Sequence, residues 1–328
     1  MMNEGGVILT IKPKKLNMGD RVAIIAPSSP TTDEAVEKGE KMIRAMGLEP
    51  VMYPTCYTRH GHFSAPDDER AKDINDAFGD KSIKGIICLR GGYGTPRLLN
   101  LIDYELIKTN PKIFVGYSDI TGLHIAFNRI CRMVTYHGFM AVSSIYKKKG
   151  DRFKFHPYTY ESIKKNLFTN EAPGLVENPP GEIMDSLFCG KAEGELIGGN
   201  LSLLVATLGS PYEIDTKGKI LFMEDVGEAV YRVDRMLTSL SLAGKFDDCN
   251  GIILGTWTDC NPEEKGDGNI DLPLEEVFKE ILLPYKKPII TNFRAGHNQP
   301  QPVLAFGTKV IMDAYKKEII FTESGNEG

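Results

Sequence analysis

Residues 84–94 read KGIICLRGGYG, and residues 113–121 read IFVGYSDIT. Each is a short apolar run that stops at a glycine-rich or polar turn, the pattern of a buried parallel strand leading into a loop. Working outward, residues 21–26 (RVAIIA) end at Pro27, and residues 48–53 form another strand-sized run. Helical patterns lie between these runs. Residues 32–46 stop at Gly47, and residues 67–78 carry acids in the first turn with Ala71, Ile74 and Phe78 on one face. Helices are also expected over 96–101 and 120–131. Strands alternating with helices predict an α/β fold, here a doubly wound layer of about 120 residues.

From 139 to 182 the pattern weakens, with a basic stretch KKKGDR (147–152) and a proline-rich ENPPGE (177–182). Such composition marks a domain boundary. We therefore expect a first domain at 1–140, a linker at 141–182 and a second domain at 183–328. The second half predicts strands at 192–197, 219–223, 251–254 and 289–293, and helices at 201–208, 230–242 and 274–281. The tail, 302–321, reads as hairpin strands around Lys316 and Lys317.

Composition excludes several functions. The 328 residues carry 39 Lys plus Arg against 44 Asp plus Glu, a net charge of −5 with no basic block, which argues against a nucleic-acid partner. The longest apolar runs are strand-sized, so no membrane span is expected. At the N-terminus the positive charges follow a very short apolar run instead of preceding a longer one, which does not read as a secretory signal and predicts a cytoplasmic protein. Six cysteines (56, 88, 131, 189, 249, 260) form no CxxC pair, so neither a zinc knuckle nor a disulfide framework is expected.

Ser118 follows a strand on a turn that contains Gly116, where a nucleophilic serine would sit, although Ile120 replaces the second glycine of a GxSxG elbow. The bland alternative is that Ser118 or Asp119 caps the next helix. A nucleophilic serine needs a base and a carboxylate to orient it. Of the six histidines, His60 and His62 form an HxH without an obvious third metal ligand, His124 lies within a helix and His156 in the polar linker. His137 and His297 each follow a strand, and His297 is the better base because a glycine precedes it and a proline-punctuated loop follows. Glu224 ends the apolar run 220–223 at a sheet edge, where open α/β sheets place their sites. The alternative for Glu224 is a charge feeding the next helix, and Asp225 and Glu228 compete for the same role, which periodicity does not separate. The GGYG turn can aim backbone N–H groups at a phosphate or at the oxyanion of acyl transfer. It lacks the GxGxxG spacing and a Walker lysine, so the phosphate reading is weak.

Five motifs in order, GGYG (91–94), GYSD (116–119), GGNL (198–201), FMEDVGEAVYRVDRML (222–237) and AGHNQP (295–300), are together similar to the LD-carboxypeptidase family, and the resemblance begins at GDRVAIIAPSSP (19–30). It implies a Rossmann-like N-terminal domain with a smaller β-rich α+β C-terminal domain, usually in a homodimer. It also implies Ser118 as nucleophile, His297 as base and Glu224 as its orienting acid, with oxyanion donors at the N–H groups of Gly92 and Asp119. The implied reaction removes the terminal D-alanine from muramoyl tetrapeptides during peptidoglycan recycling, with a small peptide as substrate and no metal or organic cofactor. Relatives in the same family resemble immunity hydrolases that cleave peptidyl nucleotides of the microcin C type, for which the single tryptophan, Trp257, could stack on a base. A nonenzymatic ligand-binding protein is the reading from another class. An exopeptidase must also bind a free carboxylate, and Arg232, Arg235, Arg294 and Arg90 are the candidates. Arg232 and Arg235 share a helix face, and pairing with Glu228 or Asp234 is the expected fate of at least one.

Overall fold

A computed structural model of the chain describes residues 10–149, 152–263 and 270–328. The opening residues on which the N-terminal reading rests, and two positions of the 147–152 basic stretch, lie outside that range.

In chain order the first half runs β1 (Arg21–Ile25), α1 (Asp33–Ala45), β2 (Glu49–Met52), α2 (Asp67–Gly79), β3 (Ile83–Cys88), α3 (Tyr104–Thr109), β4 (Ile113–Gly116), α4 (Thr121–Ala126) and β5 (Thr135–His137). A hairpin of β6 (Tyr146–Lys149) and β7 (Arg152–Phe155) follows, then α5 (Pro157–Phe168), β8 (Gly174–Val176) and β9 (Asp185–Phe188). The second half runs β10 (Lys191–Asn200), α6 (Leu201–Ala206), β11 (Ile220–Val226), α7 (Val230–Leu242), α8 (Lys245–Asp248), β12 (Gly251–Thr258), α9 (Leu274–Leu282), β13 (Ile289–Thr291), β14 (Leu304–Phe306), β15 (Lys309–Asp313) and β16 (Glu318–Phe321).

Two mixed sheets result. The first has the order β14-β5-β4-β3-β1-β2 and the second β8-β16-β15-β10-β11-β12-β13-β9. Strands β2, β1, β3, β4 and β5 are parallel, as are β10 to β13, so the strand ends of each parallel block share one edge. That shared edge is where loops of an open α/β sheet converge into a site.

Local signals account for most elements. Thr32 caps α1, its hydroxyl accepting from Ala35 N at 3.2 Å, and Asp33 and Glu34 fill the first turn. Helix α2 buries Ala71, Ile74 and Phe78 on the predicted face. Phe78 packs with Phe114 and Phe127 in an aromatic knot, ring centroids 5.0–6.3 Å apart. Each such buried side chain contributes about 1.5–3 kcal/mol. One core cluster runs without interruption from Val22, Val115 and Phe139 to Phe222, Phe306 and Phe321, so the two sheets share a hydrophobic interior.

Several expectations are corrected. The weak stretch 139–182 contains a complete helix, α5, with Pro157 in its first turn and Ile163 and Leu167 buried one turn apart. Asp103 caps the unpredicted α3 through Leu106 N at 2.9 Å. The expected helix 120–131 is three pieces, a 3-10 turn at Ser118–Ile120, α4, and a π turn at Phe127–Cys131. The expected helix 96–101 is a 3-10 segment, Thr95–Leu101. The tail makes the β15–β16 hairpin, but β14 leaves it and pairs antiparallel with β5 in the first sheet. Covering that edge buries Leu304, Ala305 and Phe306, which no local pattern could assign to a strand so distant in sequence. Among the described residues no helix is long and apolar enough to cross a membrane, and all six cysteines are free thiols.

Candidate active site

Strand β4 delivers the chain into a turn whose third residue after Val115, Ser118, has φ +63°. A non-glycine residue in the left-handed region costs roughly 1–2 kcal/mol, and such strain is typically retained where a site requires it. Its hydroxyl lies 2.9 Å from His297 Nε2, and His297 Nδ1 donates to Glu224 Oε2 at 2.7 Å. Ser118 comes from the first sheet; Glu224 and His297 come from the second sheet and its loops.

Glu224 continues the alternation of Ile220 and Phe222, whose side chains enter the core shared with the first sheet, and beside it the β11–β12 register slips, β12 carrying one extra residue between Leu254 and Trp257. The His297 loop approaches it closely because Gly296 has no side chain: a Cβ there would lie 2.8 Å from Glu224 Oε2 and 2.4 Å from Thr256 Oγ1. Gln301 fastens the same loop, accepting from Gly296 N at 3.1 Å and donating to Gly138 O at 2.7 Å beyond β5. The Tyr117 ring packs against the imidazole in a T-shaped arrangement, centroids 5.1 Å apart.

The electrostatics follow from burial. Glu224 is 0% exposed, and desolvation raises its pKa above the ordinary 4.5 while the His297 charge works against the rise. His297 is 15% exposed. Burial disfavours its charged form, but the charge and hydrogen bond of Glu224 outweigh that cost and hold its pKa above the ordinary 6.5.

The competing acids have other work. Asp225 accepts from Asn200 Nδ2 at 2.8 Å and from Ser202 N and Oγ at 3.0 and 2.8 Å, anchoring the start of α6. Glu228 pairs with Arg232 at 3.6 Å. Asp119 is buried and does not cap the helix that follows it, α4. Its carboxylate accepts from Ser28 Oγ at 2.5 Å, Gly94 N at 3.1 Å and Thr95 N at 3.0 Å, joining the loops after β1, β3 and β4. Burial raises its pKa, and these hydrogen bonds partly offset the rise.

His137 is not presented on a loop. It is the last residue of β5, fully buried against Tyr117, Phe222 and Phe306. Burial holds its pKa well below the ordinary value. His124 is equally buried, donates to Gly116 O at 2.9 Å and is pushed down to about 4. His60, His62 and His156 are exposed. Among the described residues no group of three or more His, Cys, Asp or Glu could hold a metal ion.

Of the arginines, Arg232 and Arg235 lie on exposed positions of α7 with their guanidinium groups over Tyr231 at 5.6 and 5.9 Å. Arg294 pairs with Glu182 at 3.2 Å and donates to the carbonyls of Gln299 and Pro300. Trp257 packs on Phe278 at 4.9 Å and lines a cavity of about 520 Å³ that also touches Thr256, Arg294 and Asn298. Sequence reasoning passed over Ser28 and Gln301. For Ser28 the signal was available, since PSSP follows a parallel strand just as GGYG and GYSD do.

The GGYG turn presses on the nucleophile. A Cβ at Gly91 would lie 2.9 Å from Ser118 Cβ and 3.1 Å from its Oγ. Gly91→Ala is therefore expected to lower kcat/KM by roughly 100-fold through displacement of the hydroxyl, with little change in melting temperature. Steady-state kinetics beside a thermal melt check this; full activity would mean that the turn does not confine Ser118.

A strained serine bonded to an imidazole that a buried carboxylate orients is the arrangement of a serine hydrolase. Residues 22–138 match the LD-carboxypeptidase N-terminal domain and residues 193–312 the LD-carboxypeptidase C-terminal domain. The chain belongs to the LD-carboxypeptidase family and is a carboxypeptidase of the serine type. It is 38% identical over 325 residues to a probable murein peptide carboxypeptidase of Bacillus subtilis, covering 99% of this chain and 98% of that one. Among solved structures it is similar to the microcin C7 self-immunity protein MccF in an inactive-mutant apo state (TM-score 0.83, 28% identity, 96% of this chain and 99% of that one). It is likewise similar to a muramoyltetrapeptide carboxypeptidase from Oxalobacter formigenes (TM-score 0.76, 26% identity, 93% and 99%).

Proposed function

We propose that the chain removes the terminal D-alanine from muramoyl tetrapeptides, cutting between the L-centre of a diamino acid and the D-residue. Residues 1–140 supply the nucleophile, 141–182 connect, and 183–328 supply the acid and the base. His297 Nε2 takes the Ser118 proton as Oγ attacks the scissile carbonyl, while the N–H groups of Gly92 and Asp119 receive the oxyanion. The imidazolium, stabilised by Glu224, returns that proton to the departing D-alanine nitrogen, leaving an acyl-serine. Water, deprotonated by the same imidazole, then releases the tetrapeptide remnant and restores Ser118. The reading places the enzyme in the cytoplasm, in peptidoglycan recycling, as a homodimer. Its chief support is the pair of contacts at His297, 2.9 Å to Ser118 and 2.7 Å to Glu224.

The likeness to MccF and the Trp257 cavity favour one second reading, hydrolysis of an aminoacyl nucleotide with its base beside the indole. Turnover of a muramoyl tetrapeptide and of an aminoacyl sulfamoyl adenylate, measured side by side, decides between them. Release of D-alanine with a higher kcat/KM on the tetrapeptide is expected; turnover of the nucleotide alone would reverse the assignment.

A further inference from the structure

A C-terminal substrate residue carries a free carboxylate one residue beyond the scissile carbonyl, about 3.8 Å further in Cα spacing. A carboxypeptidase therefore needs a cation on the rim that borders its oxyanion turn. Arg70 and Arg97 are both engaged by Asp67, Arg232 by Glu228 and Arg294 by Glu182. Arg90 differs. It directly precedes the GGYG turn, and its guanidinium donates only to carbonyl oxygens, Gly91 O at 3.2 Å and Pro30 O at 3.0 Å. Arg59 reaches the neighbouring carbonyl, Thr31 O, at 2.6 Å. Among the described residues neither arginine has a carboxylate partner. The loop they share is held against the turn, Tyr93 N donating to Ser29 Oγ at 3.2 Å, and Ser28 of that loop bonds Asp119 beside the nucleophile.

Two arginines thus converge on consecutive carbonyls of a loop bound to the oxyanion turn, in a chain of net charge −5. Carbonyl contacts orient a guanidinium without neutralising it, leaving its other N–H groups for an anion. We propose that Arg90, assisted by Arg59, is the subsite for the free C-terminal carboxylate of the substrate. The proposal rests on the carboxypeptidase reading above. Arg90 supplies the planar fork that suits a carboxylate, and Arg59 adds field at the exposed rim.

The test compares an acetylated L-diamino-acyl-D-alanine peptide with its C-terminal amide. In the Ser118→Ala protein, calorimetry is expected to give at least about tenfold tighter binding of the acid than of the amide. Adding Arg90→Gln erases that preference, Arg90→Lys restores part of it, and Arg59→Gln reduces it about threefold. In the active enzyme Arg90→Gln lowers kcat/KM on the acid by about 100-fold and changes it on the amide by less than about threefold. Preference for the acid that survives Arg90→Gln, or equal losses on both peptides, would overturn the subsite. Because binding is read without turnover, the subsite and the hydrolase reading fail separately. Arg90-dependent binding with no release of D-alanine by the unmutated protein would uphold the first and sink the second.

Discussion

Ser118→Ala is expected to lower kcat for release of D-alanine by roughly 10⁵ to 10⁶-fold, while the melting temperature moves by less than about 3 °C. The large loss follows from removing the atom placed to attack, the Ser118 hydroxyl that lies 2.9 Å from His297 Nε2. The small thermal change follows from the backbone. Alanine pays the same left-handed strain as serine at φ +63°, and what is lost is one half-buried hydrogen bond of about 0.5–1.5 kcal/mol. Ser118→Gly sharpens the contrast, because glycine relieves the strain: that variant should be equally inactive yet more stable by about 1 kcal/mol. Were the chain a nonenzymatic binder, neither variant would have turnover to lose, and D-alanine release measured by coupled assay would be at background throughout.

Glu224→Gln tests the other half of the triad. An amide in place of the carboxylate favours the wrong imidazole tautomer and removes the charge that stabilises imidazolium, so kcat should fall by about 10⁴-fold. The pH profile carries a second signature. The base must be neutral, and His297 titrates above 6.5, so in the unmutated enzyme kcat/KM should decline below a midpoint lying above pH 6.5. Without the Glu224 charge, desolvation remains as the main influence on His297 and pulls its pKa down, so the residual activity should keep its plateau to lower pH. The linked stability has the opposite sign. A raised histidine pKa favours the folded state fully below pH 6.5, and that contribution fades as pH rises through the folded-state value. A Gln variant with an unshifted acid limb would mean that Glu224 does not govern the imidazole.

The nearest-neighbour chemistry of the chain was legible from its letters. Strand-sized apolar runs ending in PSSP, GGYG and GYSD, and helices such as α1 and α2 with acidic first turns, are local patterns whose period and capping require no knowledge of distant residues. The same letters reduced the candidates at the site to a few histidines and acids. Choosing among them by motif order drew on family resemblance, because periodicity gives Glu224, Asp225 and Glu228 equal standing.

Only the tertiary structure decided which of these residues meet. Strand β11 turns Glu224 to the face of His297 while Asp225 points the opposite way to Asn200 and Ser202, and which face meets the first sheet depends on strand register. His137 and His297 both follow apolar runs, yet one closes a strand inside the shared core and the other rides a loop over Ser118, a difference set by packing against Phe222 and Phe306. Helix α5 is hard to read locally because it lies between a basic and a proline-rich stretch and part of its support comes from long-range contacts, such as Asn166 Nδ2 donating to Val303 O at 3.2 Å. The burial of Leu304 to Phe306 against β5 has the same origin. Hydrogen bonds and hydrophobic burial between segments more than a hundred residues apart depend on where the chain returns, which no window of sequence contains.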